Sequence, residues 1–514
     1  MSNSKIVTRF APSPTGYIHI GNVRSAIYPY LIAKQQNGRF ILRIEDTDRA
    51  RFVEGATDLI METLKWLGLD WNEGIEVGGK HGPYYQSERR DIYHAYARKL
   101  IEKGRAYPDD TSAEQINNYR KADSTKKIPY LYRNHRPKSA ELAGTKDAIS
   151  WEPGTPLRFK SEPKSYSWHD EVMGDLSTGP EVCDDIVLIK ADGMPTYNFA
   201  HIVDDYEMEV THIVRGVEYL SSMPNYLNIY EALEIKHPKF VSLPHVLATT
   251  GNKKLSKRDG AKSVIDYKDE GILPEAMLNY LACLGWNDGT EQEIYSMDDL
   301  IDKFSINRIQ NSGARFDEVK LLWQNGQWIR KIFDEQGVDA LYARTISEDS
   351  AAISAHKANE NRDSLINFWP DSAKNYDDNY RKRVLSIIYD RLKTLSDLKI
   401  YTTYFFENPN IDLEMLTTNK FLKKLSETEL SDLLGFIIKE LSNLNEWTED
   451  NLQNTLNDLL TSTNKKPAEL FSLIRIAISF APFSPALNLT MEVLGKDLTL
   501  ARLNSVRSAI VNDL

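Results

Sequence analysis

Along the first 330 residues, short β-branched or alternating runs are repeatedly followed by segments with apolar residues at helical spacing. Lys5 to Phe10 alternates as a short strand, Ala11 to Gly16 is a Pro-Ser-Pro-Thr-Gly turn, and Asn22 to Asn37 is helical, with Gly38 placed to end it. A second strand, Arg39 to Ile44, runs into Glu45-Asp46-Thr47-Asp48, where Asp48 is a candidate helix cap and Glu45 a candidate ligand-facing carboxylate. Alternation of this kind is the signature of parallel strands joined by crossover helices. Beyond Lys331 the pattern changes: Val384, Ile387, Ile388, Leu392 and Leu395, and again Leu433, Phe436, Ile437 and Leu441, recur at helical spacing. Of the 26 glycines only Gly337, Gly435 and Gly495 lie in this part, so turns become scarce as helices take over. The expected fold class is α/β, a doubly wound parallel sheet, followed by an all-α C-terminal region.

At 514 residues the chain is long enough for several domains. The polar stretch from Pro108 to Lys146 reads as the edge of an inserted one. The most apolar stretches, Leu433 to Leu441 and Leu470 to Leu489, are interrupted by Lys439, Glu440 and Arg475, short of the roughly 20 apolar residues a bilayer span needs. Met1 to Phe10 has no apolar core of a secretory signal. Cys183 and Cys283 are the only cysteines, which excludes a disulfide framework and a four-thiolate zinc site. A cytoplasmic location is expected. The net charge of -11 argues against nonspecific coating of nucleic acid. The densest cationic run, Arg381, Lys382, Arg383, Arg391 and Lys393, is expected on one helix and reads most simply as a solvated face.

Two segments carry candidate chemistry. The first strand, turn and helix place His19-Ile20-Gly21-Asn22 at the carboxyl end of a strand, where a doubly wound sheet receives a nucleotide. Free N–H groups and the helix dipole there favour phosphate, His19 can donate to a phosphate oxygen, and Gly21 lets adenine or ribose approach the backbone. A loop histidine is more often structural, but the preceding Arg9 to Gly16 string adds weight to the functional reading. The second segment, Lys253-Lys254-Leu255-Ser256-Lys257-Arg258-Asp259-Gly260, is on its own a solvated turn. It is also the kind of cationic loop that steadies charge on a transferring phosphoryl group and its leaving pyrophosphate.

Together these segments resemble the signature pair of class I aminoacyl-tRNA synthetases, and flanking words narrow the resemblance to the bacterial-type glutamyl-tRNA synthetases. The words are R-F-A-P-S-P-T-G-Y-I-H-I-G-N (Arg9 to Asn22), R-I-E-D-T-D-R (Arg43 to Arg49) and P-Y-Y-Q-S-E-R (Pro83 to Arg89). P-T-Y-N-F-A (Pro195 to Ala200), V-D-D (Val203 to Asp205), T-H-I-V-R-G (Thr211 to Gly216) and K-L-S-K-R-D-G (Lys254 to Gly260) follow in the family's order. The resemblance implies a Rossmann-like catalytic sheet in two halves, 1–107 and 191–245, around an inserted acceptor-end-binding domain, 108–190. It implies a stem-contact region carrying the lysine loop, 246–330, and two helical anticodon-binding parts, 331–415 and 416–514.

Implied site roles are specific. Arg9 and Arg215 would pair with carboxylates of the amino acid, because a guanidinium can donate two parallel hydrogen bonds to one carboxylate. Glu45 would hold the α-ammonium, with Ala11, Ser13 and Tyr197 completing that pocket. His19, Lys254 and Lys257 would act on ATP phosphates, with Gly21, Asn22, Ser256 and Arg258 also at the nucleotide. The implied substrates are L-glutamate, ATP with Mg2+, and tRNA(Glu), and the implied state is a monomer. R-G at Arg215-Gly216 resembles the glutamate branch, and a buried cation suits an anionic side chain better than an amide. The alternatives are a glutaminyl-type synthetase, an inactive tRNA-binding protein of the same fold, a truncated relative acting on a modified base, and a small-molecule nucleotidyltransferase. The last two lack need of a long helical C-terminal region. Three departures stand out. Tyr107 to Tyr132 has no cysteine, so no structural zinc is expected; His201 and Tyr219 stand where relatives often have asparagine and tryptophan; and the lysine loop reads K-L-S-K-R.

Overall fold

The computed structural model describes residues 5–16, 18–251, 253–255, 262–347, 366–481 and 484–513. The chain divides into two compact units, a first centred on Met1–Asp266 and Pro274–Glu318 and a second on Tyr267–Leu273, Val319–Ser354 and Ala358–Leu514.

In the first unit, strand β1 (Val7–Phe10) pairs in parallel with β2 (Arg39–Leu42), which pairs in parallel with β3 (Glu73–Gly74). Helix α1 (Ile20–Gln35) makes the first crossover, and α2 (Ala56–Trp66) and α3 (Arg90–Glu102) follow. The inserted segment builds an antiparallel sheet of β4 (Ala106–Pro108), β5 (Leu157–Phe159) and, later in the chain, β8 (Val187–Ile189), with helices α4 (Ala113–Thr125) and α5 (Lys138–Leu142). It also sends out a hairpin, β6 (Tyr166–Asp170) and β7 (Gly174–Thr178).

The second half-sheet is formed by β9 (His212–Gly216) and β10 (Lys239–Leu243), parallel to each other, with helix α6 (Tyr197–Glu207) before them and α7 (Met223–Leu233) between them. The hairpin extends this half at Asp170, which pairs with Phe240, an addition the sequence pattern did not foretell. The Thr211 N–H donates to the Val7 carbonyl at 2.8 Å, so β9 begins beside β1. The two halves therefore meet with the carboxyl ends of β1 and β9 on one side, the position where such sheets take up ligands. Short strands suffice because they are buried on both faces: all four residues of β1 are buried.

The sequence pattern started α1 two residues late. The helix begins at Ile20 because His19 is its N-cap, its ring accepting the Gly21 N–H at 3.1 Å. Asp48 precedes a three-residue 3-10 turn without capping it through its side chain, and pairs with Arg51 instead.

Among the described residues the second unit is helical but for a two-residue antiparallel pair, Ile346–Ser347 with Ile366–Asn367. The helix expected from the spacing of Val384 to Leu395 ends at Ile388, passes through a 3-10 turn at Tyr389–Arg391, and restarts at Asp397. Asp397 accepts the N–H groups of Lys393 and Thr394 at 2.8 and 2.9 Å, so the break is fixed by a new helix start, while Leu392 and Leu395 are buried beyond it. Arg391 and Lys393 consequently do not share a helix with Arg381 to Arg383. Glu427–Ser442 is one helix as its periodicity predicts, opened by a Ser426/Glu429 capping box. Among the described residues no helix is long and apolar enough to cross a membrane.

Candidate active site

The loop after β1 is held from below by backbone bonds. Arg43 N–H donates to the Phe10 carbonyl (3.1 Å), Glu45 N–H to Pro12 (3.0 Å) and Val53 N–H to Pro14 (2.9 Å). This fixes Ala11 and Ser13 at the mouth of β1 and delivers His19 to the head of α1. Because His19 Nδ1 accepts from Gly21, the neutral ring carries its proton on Nε2, which makes Nε2 the donor. Gly21 has a steric reason as well, since a Cβ there would come within 3.1 Å of His19 Cε1.

His19 and Asn22 line a cleft of about 390 Å³ together with Ser13, Thr15, Lys254 and Leu255. His19, Gly21 and Lys254 also border a smaller adjoining recess with Glu218 and His245. Lys254 is tied in by its backbone, which bridges to Leu247, and its ammonium donates to Glu218 at 2.9 Å. Although burial pushes the Glu218 carboxyl up, its own N–H and Lys254 hold it below the usual range. Downstream of the lysine loop, Ser263 forms a backbone bridge to His19. Ser256, Lys257 and Arg258 lie outside the described residues.

Ser13 and Thr15 lead from the first cleft into a second, of about 560 Å³, bordered by Glu45, Tyr197 and Tyr219. Glu45 connects this cleft to a buried ionic network that joins four of the sequence words. Asp205 accepts Nε and Nη2 of Arg9 at 3.0 and 3.2 Å and Nη1 of Arg43 at 2.9 Å. Arg43 in turn donates to Glu45 at 3.0 Å. Asp204 accepts from Arg89 Nε (2.7 Å), Gln86 Nε2 (2.8 Å) and the Tyr93 hydroxyl (2.9 Å). Burial alone would raise the Asp205 carboxyl, but the two arginines carry it far below the ordinary range. The Glu45 carboxyl moves the other way: burial raises it and Arg43 and Arg9 offset only part of that. Three guanidinium groups, Arg9, Arg43 and Arg89, thus face three carboxylates, Asp204, Asp205 and Glu45, and their formal charges cancel.

Arg215 is outside that balance. It lies near the end of β9 and is 7% exposed. One Nη faces His201 Nε2 at 3.4 Å, the other faces Met223 Sδ, and the rings of Tyr226 and Tyr219 lie 5.0 and 5.3 Å from its carbon. Among the described residues no carboxylate pairs with it. A buried cation with only neutral partners is costly unless an anion arrives. His201 is itself neutral: burial first, then Arg215, push its imidazole down to about 3.

The structure thus brings together Ser13, His19, Asn22 and Lys254 around one cleft, with Gly21 at the adjoining recess, and Ser13, Glu45 and Tyr197 around the next, with Arg9 and Arg215 buried near them. Arg9 has two of its nitrogens committed to Asp205, which the sequence reading did not anticipate. Asp204, Asp205 and Arg43 lie within the V-D-D and R-I-E-D words, yet sequence alone assigns them no role. The available signal was two adjacent aspartates on a helix whose other positions, such as Phe199, Ile202 and Val203, are apolar, where a carboxylate is buried only if paired. Arg24 on α1, which borders the smaller recess and donates to the Pro244 carbonyl at 2.9 Å, was also missed.

Comparison with known proteins agrees with this geometry. The family model "tRNA synthetases class I (E and Q), catalytic domain" matches residues 5–323, and the "Anticodon binding domain" model matches 358–507. The glutamate–tRNA ligase of Clostridium kluyveri is 38% identical over 97% of both chains, and that of Clostridium botulinum strain Hall is 39% identical over 97% of both. A crystal structure of a glutamate tRNA ligase from Elizabethkingia meningosepticum in complex with its amino acid superposes with a TM-score of 0.83 at 30% identity, covering 99% of this chain and 100% of that one. The chain belongs to the class I tRNA synthetases of the glutamate and glutamine branch, and within it to the glutamate–tRNA ligase family.

Proposed function

We infer that the chain joins L-glutamate to tRNA(Glu) in two steps. A glutamate α-carboxylate oxygen attacks the α-phosphorus of ATP and pyrophosphate leaves; a ribose hydroxyl of the terminal adenosine then attacks the acyl carbon and AMP leaves. The reading of the amino acid rests on one observation, the buried Arg215, which has no anionic partner among the described residues, beside a charge-balanced network. Zwitterionic glutamate brings one net negative charge and cancels it, whereas glutamine would leave the cation buried and uncompensated. A site built for a polar group rejects an analogue lacking it far more strongly than an apolar pocket discriminates size.

In this assignment Arg215 and the remaining hydrogens of Arg9 hold the carboxylates. Glu45, kept ionised by an incoming ammonium, holds the amino group, and Ala11, Ser13 and Tyr197 shape the pocket. His19 Nε2–H, the head of α1 and the cations of the lysine loop, Lys254 and Lys257, meet the phosphates; Gly21, Asn22, Ser256 and Arg258 complete the nucleotide side. Loss of one such preorganised donor costs about 2.7 to 4 kcal/mol of transition-state stabilisation. The protein side of the cleft offers phosphate donors, and among the described residues no group of three or more His, Cys, Asp or Glu is placed to hold a metal. We assign Mg2+ to the ATP substrate. The helical second unit is assigned to the anticodon, and we assign a monomer in the cytoplasm.

The test is ATP/pyrophosphate exchange with and without tRNA(Glu), with glutamate and with glutamine. Glutamate-dependent exchange is expected. Exchange that runs equally well on glutamine would overturn the amino-acid assignment, and absence of exchange under every condition would favour an inactive tRNA-binding protein.

A further inference from the structure

His201 is buried, and its ring is clamped between two tyrosines: Tyr197 stacks on it at 4.9 Å between centroids and Tyr226 meets it edge-on at 4.6 Å. Its Nδ1 lies 2.8 Å from the Tyr197 carbonyl, which can only accept, so the single proton of the neutral ring is on Nδ1. Nε2 therefore carries a lone pair, and that lone pair faces the Arg215 guanidinium at 3.4 Å. We propose that His201 is a positioning residue for Arg215 that sets the charge selectivity of the amino-acid pocket: it accepts from the guanidinium, and so aims it, without cancelling its charge. The inference rests on the reading that Arg215 receives the glutamate side chain, and adds a residue that the reading does not need.

The choice of acceptor matters because the alternatives act differently. A carboxylate at this position would neutralise Arg215 from inside the protein, removing the reason to prefer an anionic substrate. An apolar ring would keep the packing but remove the acceptor of one Nη, leaving the guanidinium held on the Met223 side alone. The charged groups on this side, Asp205 and Arg9, are bound to each other, so neither substitutes for the imidazole.

Three variants of the full chain separate these roles in tRNA-dependent ATP/pyrophosphate exchange. His201→Phe keeps an aromatic ring between the tyrosines and removes the acceptor. It should raise the KM for glutamate roughly tenfold, the worth of one charge-assisted hydrogen bond, with the KM for ATP unchanged. His201→Gln restores an oxygen near the Nε2 position and should recover most of that loss. His201→Glu should lower the preference for glutamate over glutamine by roughly tenfold or more. Equal effects of Phe and Gln, or a parallel rise in the KM for ATP, would reduce His201 to a packing residue and overturn the proposal. So would unchanged selectivity in a folded His201→Glu variant; if that variant does not fold, the Phe and Gln pair still decides. Arg215→Ala in the same assay tells the two levels apart. An unchanged glutamate requirement there sinks the Arg215 reading and this proposal with it, whereas a raised requirement beside silent His201 variants sinks this proposal alone.

Discussion

Acidification should destabilise the protein through His201 in a way that can be worked out beforehand. In the unfolded chain a histidine titrates near 6.5, and in the folded chain burial and the adjacent Arg215 push His201 down to about 3. The folded state therefore binds fewer protons than the unfolded state throughout the interval between these values. The neutral ring's contribution is complete above pH 6.5 and is lost as the pH falls toward 3. Integrating that difference gives a loss of about 2 kcal/mol between pH 8 and pH 5 for this one group, and about 5 kcal/mol if the whole interval were traversed. Other groups titrate over the same range, including His212, which burial also lowers, and the exposed His169, which Asp175 raises. The quantity to measure is therefore a difference: urea unfolding of wild type and His201→Gln, followed by tryptophan fluorescence, at pH 8 and pH 5. The wild type should lose about 2 kcal/mol more than the variant over this interval. Equal losses in the two proteins would mean that His201 is not held neutral beside Arg215, and the tautomer argument would fail.

Further outcomes follow from the same ionic arrangement. Arg215→Met should leave stability unchanged or raise it, by about 1 to 4 kcal/mol, because a buried cation without an anionic partner is replaced by an apolar side chain; urea midpoints without substrate check this, and a marked loss would mean that Arg215 is compensated. Asp205→Ala should cost about 3 to 5 kcal/mol, since it strands Arg9 in the interior and takes one carboxylate from Arg43 while leaving it Glu45, and the glutamate requirement should rise with it; retention of wild-type stability would refute the network's role. In the inserted segment Asp109 accepts from the Tyr132 hydroxyl (2.7 Å) and the Thr111 N–H (3.0 Å) and pairs with Arg158. Asp109→Ala should therefore cost about 3 kcal/mol, while a strong chelator leaves the wild-type melting temperature unchanged; a chelator-induced drop would reveal a structural metal.

How much of this was legible in the sequence depended on whether a signal was local. The strand, turn and helix around His19 could be read because strand alternation, the Pro/Gly turn and helical spacing each act within a few residues. The error in the start of α1 came from a capping imidazole, which common N-cap preferences do not include. The Ser426 helix was readable for the same local reason, whereas the run from Val384 to Leu395 was not. Its apolar spacing continues across a break that Asp397 imposes by capping backward onto Lys393 and Thr394. The buried ionic network behind Glu45 was invisible as a network because its members come from residues 9, 43, 45, 86, 89, 204 and 205, and only the fold brings them together. Sequence words marked every segment involved, but not that Asp205 occupies much of Arg9, nor that Arg215 has no carboxylate partner among the described residues.

The central claim is that this unpaired guanidinium selects the anionic amino acid. It is tested most directly by charging tRNA(Glu) in an equimolar mixture of glutamate and glutamine and identifying the attached amino acid by mass spectrometry, for wild type and for Arg215→Met. The account predicts glutamate alone on the wild-type product, and a folded variant whose residual product has lost that preference. A folded Arg215→Met enzyme that still attached glutamate to the exclusion of glutamine would contradict it.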